Sequence, residues 1–365
     1  MRTPKTALAT LLASLVGLAS LVALLVPAPA QAVPRSFFGI APQHPPTAAD
    51  VEYMRAGRIG SLRWPLAWGT IQLDPETFVW ESFDEVVASA ARQRLRVLPF
   101  VYATPGWLAG KYTTLPVNNA RQRQTWAIFL QAAVERYGPG GSFWVEHSPS
   151  SGDFIPEVPI RQWQVWNEAN FFYFAKPASP GRYARLLKIA HKAIKRADPG
   201  AEVILSGLFA EPNAKPPNGM DAVDFLDRLY AVPGIKRYFE SVALHPYSED
   251  AATLRRMTEG MREVILDNRD RGARLYMTEM GWGSQNNPNL VSFEQGVGFQ
   301  IREMRRAYRY LIANRHRLNL KGTYWFTWRD RRGACNFCDS TGFFRQSERL
   351  RAKPAWHAFV DLTGG

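Results

Sequence analysis

Two short apolar runs, each ending in a glutamate, hold the residues of this chain best suited to chemistry. The first is Trp163-Gln164-Val165-Trp166-Asn167-Glu168, followed by Ala169 and Asn170. The second runs from Arg274 to Glu279, with Trp282 close behind, and its glutamate lies 111 residues beyond Glu168. A regular strand points successive side chains to opposite faces. Asn167 and Glu168 can therefore share a cavity only where the strand bulges or ends. Two carboxyls at the ends of well-separated strands suit glycosidic-bond cleavage, one protonating the leaving oxygen and one attacking the anomeric carbon.

Elements of a particular kind must position such a pair. Short apolar runs alternate with longer helical patterns eight times along the chain. The strand candidates are Ser36–Ala41, Ser61–Trp68, Arg96–Ala103, Trp163–Asn167, Glu202–Phe209, Ser241–Pro246, Arg274–Thr278 and Gly322–Thr327. Between and after them lie the helical segments Ala48–Arg58, Phe83–Gln93, Arg121–Tyr137, Pro180–Ala197, Ala222–Tyr230, Ala251–Arg269, Phe293–Asn314 and Ala355–Leu362. Strict alternation implies parallel strands joined by crossover helices. Eight units predict an α/β fold of one closed (β/α)8 TIM barrel, with its active site at the C-terminal ends of the strands. A doubly wound sheet would carry a glycine-rich loop after its first strand, but Ala41-Pro42-Gln43-His44-Pro45-Pro46 has no glycine. The irregular stretch Gly138–Pro159 reads as an insertion rather than a domain boundary.

In this register the polar and aromatic residues on or after the strands converge on one mouth: Arg63, Trp107, Asn167, Glu168, His245, Tyr247, Glu279, Trp282 and Trp328. Aromatic faces with polar groups between them suit sugar rings, which have apolar faces and hydroxyl rims. Strands four and seven of a narrow barrel can bring their carboxyls together over its centre. Asp330, beside Arg329, reads as a local ion pair.

The paired motifs around Glu168 and Glu279 resemble the retaining glycoside hydrolases of clan A. Ala243-Leu244-His245-Pro246-Tyr247 and the closing Tyr324-Trp325-Phe326-Thr327-Trp328 fit the same clan. The pattern is nearest to the β-xylosidase-like family 39 and its cellulase-like family 5 relatives. The resemblance implies Glu168 as acid/base, Glu279 as nucleophile and Asn167 on the sugar 2-hydroxyl. It also implies Tyr247 and Arg63 as partners of Glu279, His245 shaping the site, and Trp328 as the platform under the reacting sugar. Trp107 and Trp282 are weighed as further sugar contacts. Two features depart from the clan: Ala169 stands where many members have proline, and a cysteine loop follows Trp328.

The bounds agree with an extracytoplasmic enzyme. Arg2 and Lys5 precede an apolar run from Ala7 to Val26, and Ala30-Gln31-Ala32 is an A-x-A cleavage site. Residues 1–32 read as a signal peptide and 33–365 as the catalytic domain, with a retained membrane anchor as the alternative. Losing Arg2 and Lys5 lowers the net charge from +13 to +11. The cations concentrate in helical stretches such as Lys188–Arg196 and Arg302–Arg309, where solvated outer faces explain them. Neither nucleic acid nor a membrane span is expected as a partner of the mature chain. Cys335 and Cys338, the chain's two cysteines, read in a secreted protein as a small disulfide. Zinc would need two further ligands that the neighbourhood lacks, so no metal or cofactor is expected. The substrate is expected to be a poly- or oligosaccharide, anionic if Lys111, Lys176 and Lys215 line an open cleft. An exo-acting β-xylosidase-like pocket, a transglycosylase and a non-catalytic glycan-binding barrel are the alternatives.

Overall fold

The computed structural model describes residues 33–286, 292–333, 335, 338–347 and 349–364. The expected signal segment lies outside the described residues. From Arg35 onward the chain forms one compact unit. Its eight strands, all parallel, close into a barrel in chain order. They are β1 (Phe38–Ile40), β2 (Ser61–Ala67), β3 (Arg96–Tyr102), β4 (Gln162–Val165), β5 (Glu202–Phe209), β6 (Ser241–His245), β7 (Arg274–Met280) and β8 (Leu320–Trp325). The main crossover helices are α1 (Ala48–Ala56), α2 (Glu81–Arg92), α3 (Ala120–Tyr137), α4 (Pro180–Ala197), α5 (Ala222–Tyr230), α6 (Ala251–Asp267) and α7 (Gly296–Asn314); α8 (Pro354–Thr363) ends the fold. The stretch 138–159 carries only a short helix, Ser142–Glu146.

The strands form where the sequence is apolar on both faces, as parallel strands between a filled interior and a helical shell must be. Ala41, Leu98, Ile204, Ala243, Tyr276 and Tyr324 make one interior cluster, with Phe326 packed on it. A Cβ on Gly39 would come within 2.3 Å of the Tyr324 ring, so the absent side chain makes room for that tyrosine. Outside, α4 shows the helical logic: Tyr183, Leu186, Leu187, Ala190 and Ile194 are buried on one stripe. Ser179 caps its start by accepting from the Arg182 amide, and Pro180 occupies the first turn.

Several boundaries differ from expectation in ways that matter to the site. The fourth strand ends at Val165, because Trp166 (φ 74°) and Glu168 (φ 39°) enter the left-handed region. The seventh continues through Glu279 to Met280. The seventh helix starts at Gly296 rather than Phe293. Two strands separate β4 from β7, so their carboxyls meet not across a diameter but through the bend after β4.

Candidate active site

That bend is held from several sides. The Trp166 amide donates to Val101 O, and its indole Nε1 donates to Phe174 O, both at 2.8 Å. The Glu168 amide donates to Gly207 O at 3.1 Å. Asn170 Nδ2 donates to Phe209 O and Met220 O, both at 2.7 Å, while its Oδ1 accepts from the Phe209 amide. These bonds offset the cost of the left-handed residues. Asn167 and Glu168 are thereby released toward the mouth.

Arg63 of β2 organises the centre. Its Nη1 donates to Glu279 Oε1 at 2.6 Å, Nη2 to Asn167 Oδ1 at 2.7 Å, and Nε to Gln164 Oε1 at 2.8 Å. The guanidinium is 4.0 Å from the centre of the Phe100 ring and almost wholly buried. Three acceptors and an aromatic face suit a planar, permanently charged group better than a lysine. Tyr247 donates to the other oxygen of Glu279, at 2.7 Å. His245 Nδ1 lies 2.7 Å from Glu168 Oε1 and 3.6 Å from Glu279 Oε2, and its Nε2 lies 3.0 Å from Thr278 Oγ1. One oxygen of each glutamate and a nitrogen of His245 all lie within 4.8 Å of one another.

Electrostatics divides the two carboxyls. Burial raises the Glu168 carboxyl well above its ordinary range; the charge of Glu279 adds to this and Arg63 opposes it. Glu279 accepts hydrogen bonds on both oxygens, one from a guanidinium. Burial pushes the His245 imidazole well below its usual value, with Arg63 acting in the same direction. The short His245–Glu168 contact is therefore a hydrogen bond from a neutral ring, not an ion pair. Burial first, and then the Glu279 charge, raises the Tyr247 phenol, which stays a donor. The same three side chains have a metal-like spacing. Arg63 already supplies the positive charge beside Glu279, and a second cation there would be repelled, so the set suits an acid–base pair better than an ion.

Six residues singled out in the sequence meet here: Arg63, Asn167, Glu168, His245, Tyr247 and Glu279. The indoles of three tryptophans bond to groups other than these six. Trp328 is 2% exposed; its ring packs on Phe344 and Trp356, and its Nε1 donates to Asp50 Oδ1 at 2.7 Å. It offers no face to a sugar, and the expected platform role is withdrawn. Trp282 is buried beside Trp325 and donates to Ser248 O. Trp107, half-buried, donates to Gln72 O at 3.1 Å and lies under Arg121. Asp330 pairs with Lys353 at 2.8 Å rather than with Arg329, which pairs instead with Asp50. Cys335 and Cys338 are joined as expected.

The sequence reading missed Gln164, Thr278 and Phe326. Gln164 and Thr278 are wholly buried polar residues inside the fourth and seventh strands; a polar residue in a run apolar on both faces was the available signal. Phe326, half-buried, packs edge-on against Tyr247 with ring centres 6.0 Å apart. It was hidden by the two tryptophans flanking it.

No family model matches the chain, and no curated protein matches it by sequence. By structure it is similar to a family 39 glycoside hydrolase from Bacteroides cellulosilyticus WH2, with 18% identity, TM-score 0.61, and 91% of this chain and 65% of that one covered. A glucosidase from Croceicoccus marinus gives 15% identity, TM-score 0.64 and coverages of 92% and 68%. Xylanase 10B from Thermotoga maritima gives 14%, 0.59, 91% and 98%. At these identities the likeness concerns the barrel fold. The chain spans just under two thirds of the family 39 enzyme.

Proposed function

We propose that the chain is a retaining glycosidase acting on β-linked sugars by double displacement, outside the cytoplasm. The observation that carries this is the carboxyl pair, with oxygens within 4.8 Å of one another and opposite surroundings. Retention requires carboxyls ~5–5.5 Å apart, whereas inversion leaves room for water at ~6.5–9.5 Å. Glu279, oriented by Arg63 and Tyr247, attacks the anomeric carbon as Glu168 gives its proton to the leaving oxygen. The resulting ester removes the negative charge of Glu279, which lowers the cost of ionising Glu168. Glu168 then takes a proton from water as that water displaces Glu279 from the sugar. In this reading Asn167, whose Oδ1 accepts from Arg63 Nη2, holds the sugar 2-hydroxyl.

The loops after β3, β4 and β5 point to an extended, anionic substrate. They are knitted together by Lys176 N→Thr113 O (3.1 Å), Ala178 N→Pro217 O (2.9 Å) and Phe172 N→Asn218 O (2.8 Å). On this wall Tyr112 and Tyr173 are 53% and 57% exposed. Lys111, Lys176 and Lys215 are exposed as well, and among the described residues none has a side-chain hydrogen-bond or ion-pair partner. Glu211, close to Lys215 in sequence, lines a separate groove with Arg256. Export rests on the leader-like residues 1–32.

A 2-deoxy-2-fluoro glycoside bearing a good leaving group tests the mechanism by mass spectrometry. The expected result is one sugar esterified to the peptide carrying Glu279. Turnover with inversion of the anomeric centre, or a label elsewhere, would sink the proposal.

A further inference from the structure

The two glutamates are joined by a buried circuit as well as by proximity. From Glu279 it runs through Arg63 to Gln164, then Thr278, then His245, and ends on Glu168. The direction of each link follows from which atoms can donate. Arg63 has no acceptor, so the Gln164 atom 2.8 Å from its Nε is the carbonyl oxygen. The Gln164 amine then faces Thr278 Oγ1, at 3.5 Å. This link is long, but it turns a donor rather than an acceptor toward the hydroxyl. Among the described residues the acceptor within reach of the Thr278 hydroxyl is His245 Nε2, at 3.0 Å. Nε2 must then be bare, and the ring proton sits on Nδ1, 2.7 Å from Glu168 Oε1.

We infer that Gln164 and Thr278 are positioning residues that hold His245 as its Nδ1–H tautomer and thereby place the acidic proton of Glu168 on Oε2. This rests on Glu168 being the acid/base. Oε1 is occupied as an acceptor, so the free oxygen carries the proton delivered to the leaving group. It is also the oxygen to which water returns a proton in the second step. Glu168 cycles between acid and carboxylate while His245 stays neutral. The opposite tautomer would turn a lone pair toward Oε1, draw the proton there and take it off the reaction path. Gly207 makes room for the ring: a Cβ there would come within 1.9 Å of His245 Nε2. The other groups facing Glu168 are Glu279 from β7, Arg63 from β2 and Tyr247 beyond β6, and none of them contacts Nε2.

Nitrogen-15 NMR of the full chain labelled at its six histidines reads the tautomer without any substrate. His245, identified by the resonance that moves in Thr278→Val, should show Nδ1 protonated and Nε2 bare. Thr278→Ser should keep that pattern. Gln164→Glu offers Thr278 an acceptor and should reverse it. A wild-type ring protonated on Nε2, or one indifferent to both positions, overturns the inference. Kinetics supplies the second readout. Thr278→Val should slow glycosides with poor leaving groups about 10-fold, part of the ~10²–10⁴ that general acid catalysis contributes. In kcat/KM, which reports the first step alone, dinitrophenyl glycosides, which need no proton there, should change less than about 3-fold, and Thr278→Ser should restore the loss. An equal loss on both leaving groups would assign Thr278 a merely structural role. If the wild type cleaves no glycoside, the catalytic reading fails, while NMR still decides the tautomer.

Discussion

The ends of β4 and β8 carry the same kind of sequence, tryptophans followed by charged residues, and the fold uses them in opposite ways. After β4 the chain bends through two left-handed residues and delivers Asn167 and Glu168 into a cluster whose polar atoms bond one another. After β8 it delivers Trp328, Arg329 and Asp330 into the protein's own packing. Asp50 takes the Trp328 indole and Arg329 on one oxygen, and with the other it completes the cap of α1 through Thr47. Lys353 takes Asp330 and Ser340 O. A charged or aromatic residue at a strand end therefore signals chemistry only if its partners are also at the mouth. At β8 those partners come from the outer helices and loops.

The comparison breaks most sharply at Glu279. Glu279→Gln should lower kcat by roughly 10⁴–10⁶-fold, the scale of losing a nucleophile, with the fold intact by circular dichroism. A mutant retaining a tenth of wild-type turnover would move the chemistry elsewhere.

Glu168→Gln should cost about 10²–10⁴-fold in kcat/KM on poor leaving groups and far less in kcat/KM on dinitrophenyl glycosides, since that ratio reports the first step. It also carries a stability prediction. The folded carboxyl is raised above its unfolded value, so between those two values the native state binds more protons and stability falls as pH rises. The amide removes that penalty while still accepting from His245 Nδ1. Glu168→Gln should therefore match wild type near pH 3 and exceed it in Tm at pH 7. Equal Tm differences at both pH values would remove the burial argument.

At the β8 end the expected effects are on stability alone. Trp328→Ala opens a cavity and should cost about 3–5 kcal/mol. Trp328→Phe, which keeps most of the ring and loses the bond to Asp50, should cost about 1–3 kcal/mol. Urea midpoints measure both, and kcat per folded molecule should stay within about twofold for the phenylalanine variant. A selective loss of kcat at wild-type stability would restore Trp328 to the site.

Much of this was legible beforehand, for physical reasons. Eight apolar runs separated by helical stripes specify a closed parallel barrel, because each strand must be apolar on both faces. Asn167, His245, Tyr247 and the two glutamates were readable as polar residues at strand ends, and Arg63 as a charge within a largely apolar second strand. The sequence could not separate Trp328 from Phe326, since three aromatic residues within four positions look alike until the loop after β8 folds back under α1. Gln164 and Thr278 escaped because their roles depend on partners 33 to 114 residues away in sequence.

The smallest expected effect concerns the wall beyond β4, where the contrast with β8 is again one of partners. Lys353 is buried and paired, whereas Lys111, Lys176 and Lys215 stand exposed without partners among the described residues. Each exposed charge contributes at most ~1 kcal/mol to a bound anion, so replacing all three with glutamine should reduce kcat/KM on a uronate-bearing polysaccharide about 10-fold in total. On a neutral glycan of the same backbone the change should stay within about twofold, because the catalytic cluster is untouched. The discrimination should shrink at 0.5 M salt, where the screening length falls to roughly 4 Å. Equal losses on both polymers would mean that the lysines support the loops rather than read charge. No loss on either would leave Tyr112 and Tyr173 as the wall's contribution, and a neutral chain as the better substrate.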